Sequence, residues 1–595
     1  MKTNVSRFTA VLAAALLVGF VATSAHAVTV TTAVSGPGTV TPVPTAPATV
    51  TSGKTVTLKA KPDKDAFFAY WKGGGKTFYT ATIKVAPTVN TTYTATFHTK
   101  AECAGKLTGI FSDTIPTIMV GVGLNVQFYV ADAARPVKFT ATGLPPGVKI
   151  DSASGLVSGT PTKAGTYSGA TVKATSVANP SESFSVTAPP LTVVALPWNA
   201  SGTFNGSVWD STSGGAYVGS LTATVSATGK ISAKATTKDG AFSFSAPSFS
   251  SISGNTLSAD MKTAKGQTLV LTLNTAALWT ASQLTGSFNG AYSVTTQRNP
   301  FINPNDPSRN DALAALANYA NTYYTLSLQF NGLVPGTVST APTGGIGGGY
   351  SYLTFTVSNN GAIKLSGRVS DGSAVSASTT LLMANSGNAN VRSFLPLYSK
   401  RGFLSGYLVL SPEGTLSGTN WRWHYPGKTP TAKTPATEDR FRMNLTPRGG
   451  RYDQSVSLWE KYNGKGFDFF DWPKVPFVQG ANGSVMLSPA KKPVWDKVTG
   501  MYGYALNNPN AVTLTGNAKT GVFSGKIHSY TYDASGKITK ATPLNYYGVL
   551  IQQAGNFTGA GATLDPRPWT DPVTQVKYIL KQSRPVTVDV APMIL

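Results

Sequence analysis

Beyond the N-terminal leader the chain carries three histidines, His98, His424 and His528. None has a second His or Cys at the short spacings that metal ligation uses, so the expectation is no metal and no cofactor. A Ser-His-Asp triad is not dismissed by counting, because serine is abundant. No Gly-x-Ser-x-Gly elbow sits on a strand-to-helix turn, however. In Gly155-Leu156-Val157-Ser158-Gly159 the glycines bracket a short strand, and Ser158 reads as an ordinary strand residue. Asp468 and Asp471, in Phe467-Asp468-Phe469-Phe470-Asp471-Trp472-Pro473, are the local candidates for a glycosidase pair. Such a pair needs carboxyls roughly 5–10 Å apart across a cleft. Aspartates capping turns among aromatics explain the same residues, and no catalytic residue is expected.

Binding chemistry has a better footing. Trp421, Arg422, Trp423 and Tyr425 form one aromatic cluster, and Phe469 and Trp472 belong to a second. Indole and phenol faces stack on sugar rings, and they also fill barrel interiors. Trp421 and Trp423 are two residues apart, so on a strand they share a face. That face is either a ligand platform or a core wall. Between residues 392 and 468 stand twelve basic and six acidic side chains. If part of the chain grips an acidic glycan, this is the expected place; a solvated basic face is the alternative.

The elements that must position these residues are β-strands. Glycine (60) and proline (38) are abundant, charged residues are 12% of the chain, and Ser/Thr are dense throughout. That is the composition of many short strands joined by turns. Alternation such as Val56-Thr57-Leu58-Lys59-Ala60-Lys61 has the period of a half-buried strand. Asn360-Gly361, Asp239-Gly240 and Asp371-Gly372 read as hairpin turns whose two central residues can both take positive φ. One segment departs from this pattern: residues 311–319 are rich in Ala and Leu and predict a short helix, with Ser308 or Asn310 as N-cap.

The fold class expected is all-β and multi-domain. Residues 1–27 read as a signal peptide, with Lys2 and Arg7, an apolar core, and Ala25-His26-Ala27 at the cleavage site. Then come a small β module (28–100), a sandwich (104–197), and two tandem antiparallel barrel- or sandwich-like domains (198–323 and 324–595, the latter divisible near 445). An internal repeat supports the tandem. Gly214-Gly215-Ala216-Tyr217, Leu221 to Ser226, and Asp239-Gly240 recur as Gly348-Gly349-Tyr350, Leu353 to Ser358, and Asp371-Gly372. Cys103 is the only cysteine, so no intrachain disulfide forms. It reads as a buried residue at a domain junction or as a reactive thiol.

Three resemblances accompany this reading. Gly36-Pro37-Gly38-Thr39-Val40, Trp71-Lys72-Gly73 and Ala95-Thr96-Phe97 resemble the internalin-type B-repeat of bacterial surface proteins, which implies a spacer or adhesive unit. Gly143-Leu144-Pro145-Pro146-Gly147, followed by Gly155-Leu156-Val157-Ser158-Gly159-Thr160-Pro161, resembles the immunoglobulin-like (cadherin-like) domain family of secreted bacterial proteins. It implies a β-sandwich. The C-terminal repeats resemble those of uncharacterised secreted bacterial β-proteins and imply no activity.

The formal charge is +24, falling to +22 without Lys2 and Arg7. The surplus is dispersed, which favours a polyanionic surface partner such as acidic polysaccharide over a specific nucleic-acid site. No second apolar run is long enough to span a membrane as a helix. A membrane β-barrel is disfavoured by the short, Ser/Thr-rich strands. The function expected is non-catalytic adhesion or scaffolding by a secreted or cell-surface protein, with the periplasm as another destination. A polysaccharide-active enzyme within 198–595 is the rival. Oligomeric state is left open.

Overall fold

The computed structural model describes residues 27–42, 48–210, 216–277, 280, 284–334, 348–384, 386–426, 441–469, 474–480, 485–487, 494–496, 501–503, 508, 510–553, 555–570, 575 and 577–590. The expected signal peptide (1–27) therefore lies outside them, Ala27 apart. The chain forms two compact units. One is Met1–Met119 with Leu124–Val194, the other Val120–Gly123 with Ala195–Leu595.

The first unit holds two β modules. In the N-terminal one, a five-stranded sheet has at its centre Thr91–Thr99, flanked by Ala27–Ser35 and Ala66–Gly73. A three-stranded sheet (Gly38–Thr41, Val56–Pro62, Thr82–Val85) completes it. Val30, Leu58, Trp71, Ala95 and Phe97 fill the core, and the Trp71 indole donates to the Ala81 carbonyl at 3.2 Å. The second module is built of three small sheets. Its glycine motif has a steric cause. A Cβ on Gly147 (φ +90°) would sit 2.1 Å from the Thr160 oxygen, and one on Gly159 would sit 2.2 Å from the Gly147 oxygen. Two backbones pass where no side chain fits. Cys103 ends the short helix Lys100–Cys103 and is 1% exposed, its Sγ donating to the Arg135 carbonyl at 3.2 Å. Burial pushes its thiol pKa up.

The second unit repeats one topology three times. Nine strands from Gly202–Asp210 to Tyr292–Arg298 pair in sequence order, and the first also pairs with the last (Phe204↔Arg298). Gly240–Ala246 and Ser251–Ser253 are left as edges of this front meander. Eight strands from Tyr323–Leu333 to Phe441–Arg451 close fully into a barrel. A rear meander of eight begins at Lys465–Phe469, which pairs with the final strand Lys577–Val590. Among the described residues the stretch 324–595 thus holds the barrel, ending at Arg451, the rear meander, and a separate two-stranded sheet of Val494–Asp496 and Met501–Gly503.

Alternation sets the barrel's polarity. In Ala362–Arg368, Ile363 and Leu365 point inward while Lys364 and Ser366 are exposed. The interior is filled by leucines together with Phe355, Trp421 and Trp423. An apolar inside and a polar outside is the inverse of a membrane-spanning channel wall. No helix among the described residues is long and apolar enough to cross a membrane.

The turns differ from expectation. Asn360, Asp239 and Asp371 do not take positive φ; only Gly361, Gly240 and Gly372 do. At Gly361 the chain makes a type I turn closed by a glycine bulge: Gly361 N donates to Ser358 O at 3.0 Å and Ser358 N to Ala362 O at 2.9 Å. The same pair of bonds recurs at Gly229, Gly266, Gly372, Gly414 and Gly536. The expected helix runs Arg309–Leu316. Ser308 holds its N-cap position without capping it, because its hydroxyl donates to Asp306 Oδ1 at 2.7 Å.

Candidate functional site

The aromatic residues singled out as a ligand platform are walls of the core. Trp421 and Trp423 are each 1% exposed, Tyr425 3% and Phe469 4%. Their polar atoms are committed inside. Trp421 Nε1 donates to the Tyr407 carbonyl and Trp423 Nε1 to the Tyr398 hydroxyl, both at 3.1 Å. Shared parity was legible, but the shared face is the inner one. Phe469 lies in the rear meander's core. Trp472 and Asp471 lie outside the described residues.

Of the basic residues around them, Lys400, Arg401, Arg442 and Arg448 are exposed, Lys428, Lys433 and Arg440 lie outside the described residues, and several of the others are tied into the fold. Lys461, counted on the basic face, is fully buried, and Nζ donates to the Ala518 carbonyl at 2.9 Å. It lies 4.2 Å from the Tyr452 ring centroid, and burial lowers its pKa. Arg392 Nη1 donates to the Thr295 carbonyl at 3.1 Å, joining barrel to front meander. Arg422 takes the outward position between the two tryptophans, opposite Asn444; its pKa falls through burial, then Arg442, against Asp210. His424 pairs across the strands with Arg442, and its pKa is lowered to about 4, by burial first, then Arg442 and Lys238. Asp468 lies 3.9 Å from Lys474 Nζ. Among the described residues no three His, Cys, Asp or Glu gather to hold a metal.

A strip that the sequence reading missed lies on the rear meander. In the strand Val522–Tyr532, Phe523 and Ile527 face inward, so Lys526, His528, Tyr530 and Tyr532 share the outer face. His528 and Tyr530 are stacked with centroids 6.4 Å apart, and Tyr530 and Tyr532 are 6.5 Å apart. Tyr532 is 48% exposed. Across the hairpin stand Ala541 and Pro543. The signal was present as strict alternation of Lys, His, Tyr and Tyr.

One cleft stands out, of about 620 Å³, where the barrel meets the rear meander. The turn at Gly414 forms one wall and the turn around Gln553 the other. Tyr323 and Tyr452 lie beneath with rings edge to face, centroids 6.0 Å apart. Its two carboxylates are Glu413 and Asp453. Both pKa values are lowered: that of Glu413 by the Ser411 hydroxyl and its own backbone N–H, that of Asp453 by the hydroxyl and N–H of Ser455. A glycosidase acid must be held up, not down. The cleft's groups can donate hydrogen bonds to a ligand and accept them from it.

A family model described as "Putative Ig domain" matches residues 108–189. No curated protein matches the chain. The matched segment is the second module of the first unit, which is an immunoglobulin-like domain within a nearly all-β, multi-domain chain.

Proposed function

We propose that the protein is a non-catalytic, exported surface protein that serves adhesion or extracellular scaffolding and holds acidic polysaccharide on its outer faces. The observation that carries the reading is that the closed barrel's interior is packed with apolar side chains. The immunoglobulin-like domain at 108–189 is consistent with such a role, as is the resemblance of the front module's Trp71-Lys72-Gly73 and Ala95-Thr96-Phe97 to the B-repeat. The charge of +24 supplies attraction to polyanions. Lys526 supplies a cationic contact and His528, Tyr530 and Tyr532 a stacking one, in place of the buried tryptophans.

The test is binding of the mature chain to a sulfated and a uronic acid polysaccharide across a salt series. Binding that weakens with salt is expected, and a Lys526→Ala/Tyr532→Ala variant binds more weakly. Absent or salt-insensitive binding overturns the polyanion reading. Reducing ends released from either polymer overturn the non-catalytic one.

A further inference from the structure

The cleft between barrel and rear meander is built for a different ligand from the basic outer faces. Small-molecule pockets of 300–1,000 Å³ are mostly apolar. This one, of about 620 Å³, has a lining divided nearly evenly between polar and apolar atoms, with Leu416 as its single aliphatic residue. The remainder is carboxamide, carboxylate, hydroxyl, backbone, one guanidinium and the tyrosines.

The walls are held in place before any ligand arrives. Tyr452 N donates to the Tyr323 carbonyl and Arg451 N to the Gly414 carbonyl, both at 2.8 Å. The Tyr323 hydroxyl donates to Thr520 O at 3.1 Å and the Tyr452 hydroxyl to Ala518 O at 2.9 Å. Asp453 N donates to Gln552 Oε1 at 2.8 Å, which fixes that amide with its NH2 group uncommitted. Asp453 Oδ1 accepts both the N–H and the hydroxyl of Ser455, and the Val456 N–H also bonds this carboxylate. The Gln553 amide has no partner among the described residues and lines the opposite wall. Arg451 commits Nη2 to the Asn318 and Pro412 carbonyls, while its Nε is buried without a hydrogen-bond partner among the described residues. Gly414 lies against that guanidinium, where a Cβ would come within 3.1 Å of Nε.

Donors and acceptors therefore line one space. Two carboxylates outnumber the one guanidinium, which disfavours an anion. Vicinal hydroxyls both donate to carboxylates and accept from amides. We infer that this cleft binds an uncharged, hydroxyl-rich saccharide, with Glu413, Asp453, Gln552 and Gln553 making the polar contacts. The inference goes beyond polyanion binding, which uses other residues, and it stands or falls separately.

The test is isothermal titration calorimetry of the full mature chain, in chelator, with three neutral probes: cellotetraose, maltotetraose and tetraacetylchitotetraose. At least one binds with a dissociation constant below about 1 mM, equally at low and high salt. Glu413→Ala and Gln553→Ala each weaken it about tenfold or more, equivalent to about 1.4 kcal/mol. Both side chains are exposed, so melting temperature is unchanged and polyanion binding by the same variants is retained. Binding of none of the probes, or binding that both variants leave intact, overturns the inference. So does heat seen only when calcium replaces the chelator, which makes the cleft a cation site.

Discussion

Trp421 lies flat over Gly406, where a Cβ would stand 2.1 Å from the indole Cδ2. The strand register shifts between Ser405 and Tyr407 at this point. The ring thus covers bare backbone, and the missing side chain at Gly406 is what admits it. Trp421→Ala leaves a hole in the barrel and costs about 3–5 kcal/mol, read by urea unfolding of the second unit. Sugar affinity in the folded fraction is unchanged, which separates a core residue from a ligand platform. His424 makes a second case, in pH. It faces Arg442 across the strands and the Phe403 ring edge to face at 5.3 Å, with Lys238 and Arg422 as further cations nearby. Its folded pKa of about 4 lies below the ordinary 6.5, so the unfolded chain takes up the proton first as pH falls. Stability is full above the unfolded value and declines between about 6.5 and 4, by roughly 1–3 kcal/mol. His424→Gln flattens that slope in unfolding curves taken across the pH range; an unchanged slope assigns it to other groups.

The hairpin joining Ala389–Leu397 to Gly402–Leu410 turns through Tyr398, Ser399 and Lys400, with φ of 53°, 55° and 71°. Three successive left-handed residues without a glycine cost roughly 1–2 kcal/mol each. Tyr398 holds them: its hydroxyl donates to Asp371 Oδ2 at 2.7 Å and accepts from Trp423 Nε1. Lys400→Gly relieves one of the three and raises stability by about 0.5–1 kcal/mol net of chain entropy, a rise in melting temperature that calorimetry reads. A fall in stability instead means the Lys400 side chain supports the turn. This strain was not legible in the sequence, because Tyr-Ser-Lys carries none of the usual left-handed signals. The turns at Gly361 and Gly372 were legible from glycine placement, although the side chains beside them cap the turn rather than share positive φ: Asp371 Oδ1 accepts from Ser373 N at 2.8 Å. Strands were legible from alternation. Closure was legible only as one of two outcomes, barrel or sandwich, because pairing of Tyr323–Leu333 with Phe441–Arg451 spans over a hundred residues and leaves no local pattern. For the same reason the cleft, drawn from turns at Gly414 and Gln553, had no motif to announce it.

At the scale of the second unit, barrel and rear meander each have their own core and share a small buried cluster between them. Tyr352 from the barrel packs with Val549 and Ile551 from the rear meander. Around this cluster the Tyr547 hydroxyl donates to Val369 O at 3.0 Å, and the Ser583 hydroxyl donates to Ser370 O at 2.7 Å. The strand Ser351–Val357 is accordingly buried on both faces through most of its length. A saccharide cleft placed on this seam keeps its geometry only while the two sheets stay docked. Coupling of this kind makes local openings expensive, since separating the sheets exposes both surfaces together. Ile551→Ala removes buried volume from the shared cluster at a cost of about 2–4 kcal/mol. Hydrogen exchange should then show protection falling in Ser351–Val357 of the barrel as well as in Ile538–Gln553, the mutated strand. Loss confined to Ile538–Gln553 would mean that the barrel stands on its own, and that the cleft's two walls can part without unfolding either sheet.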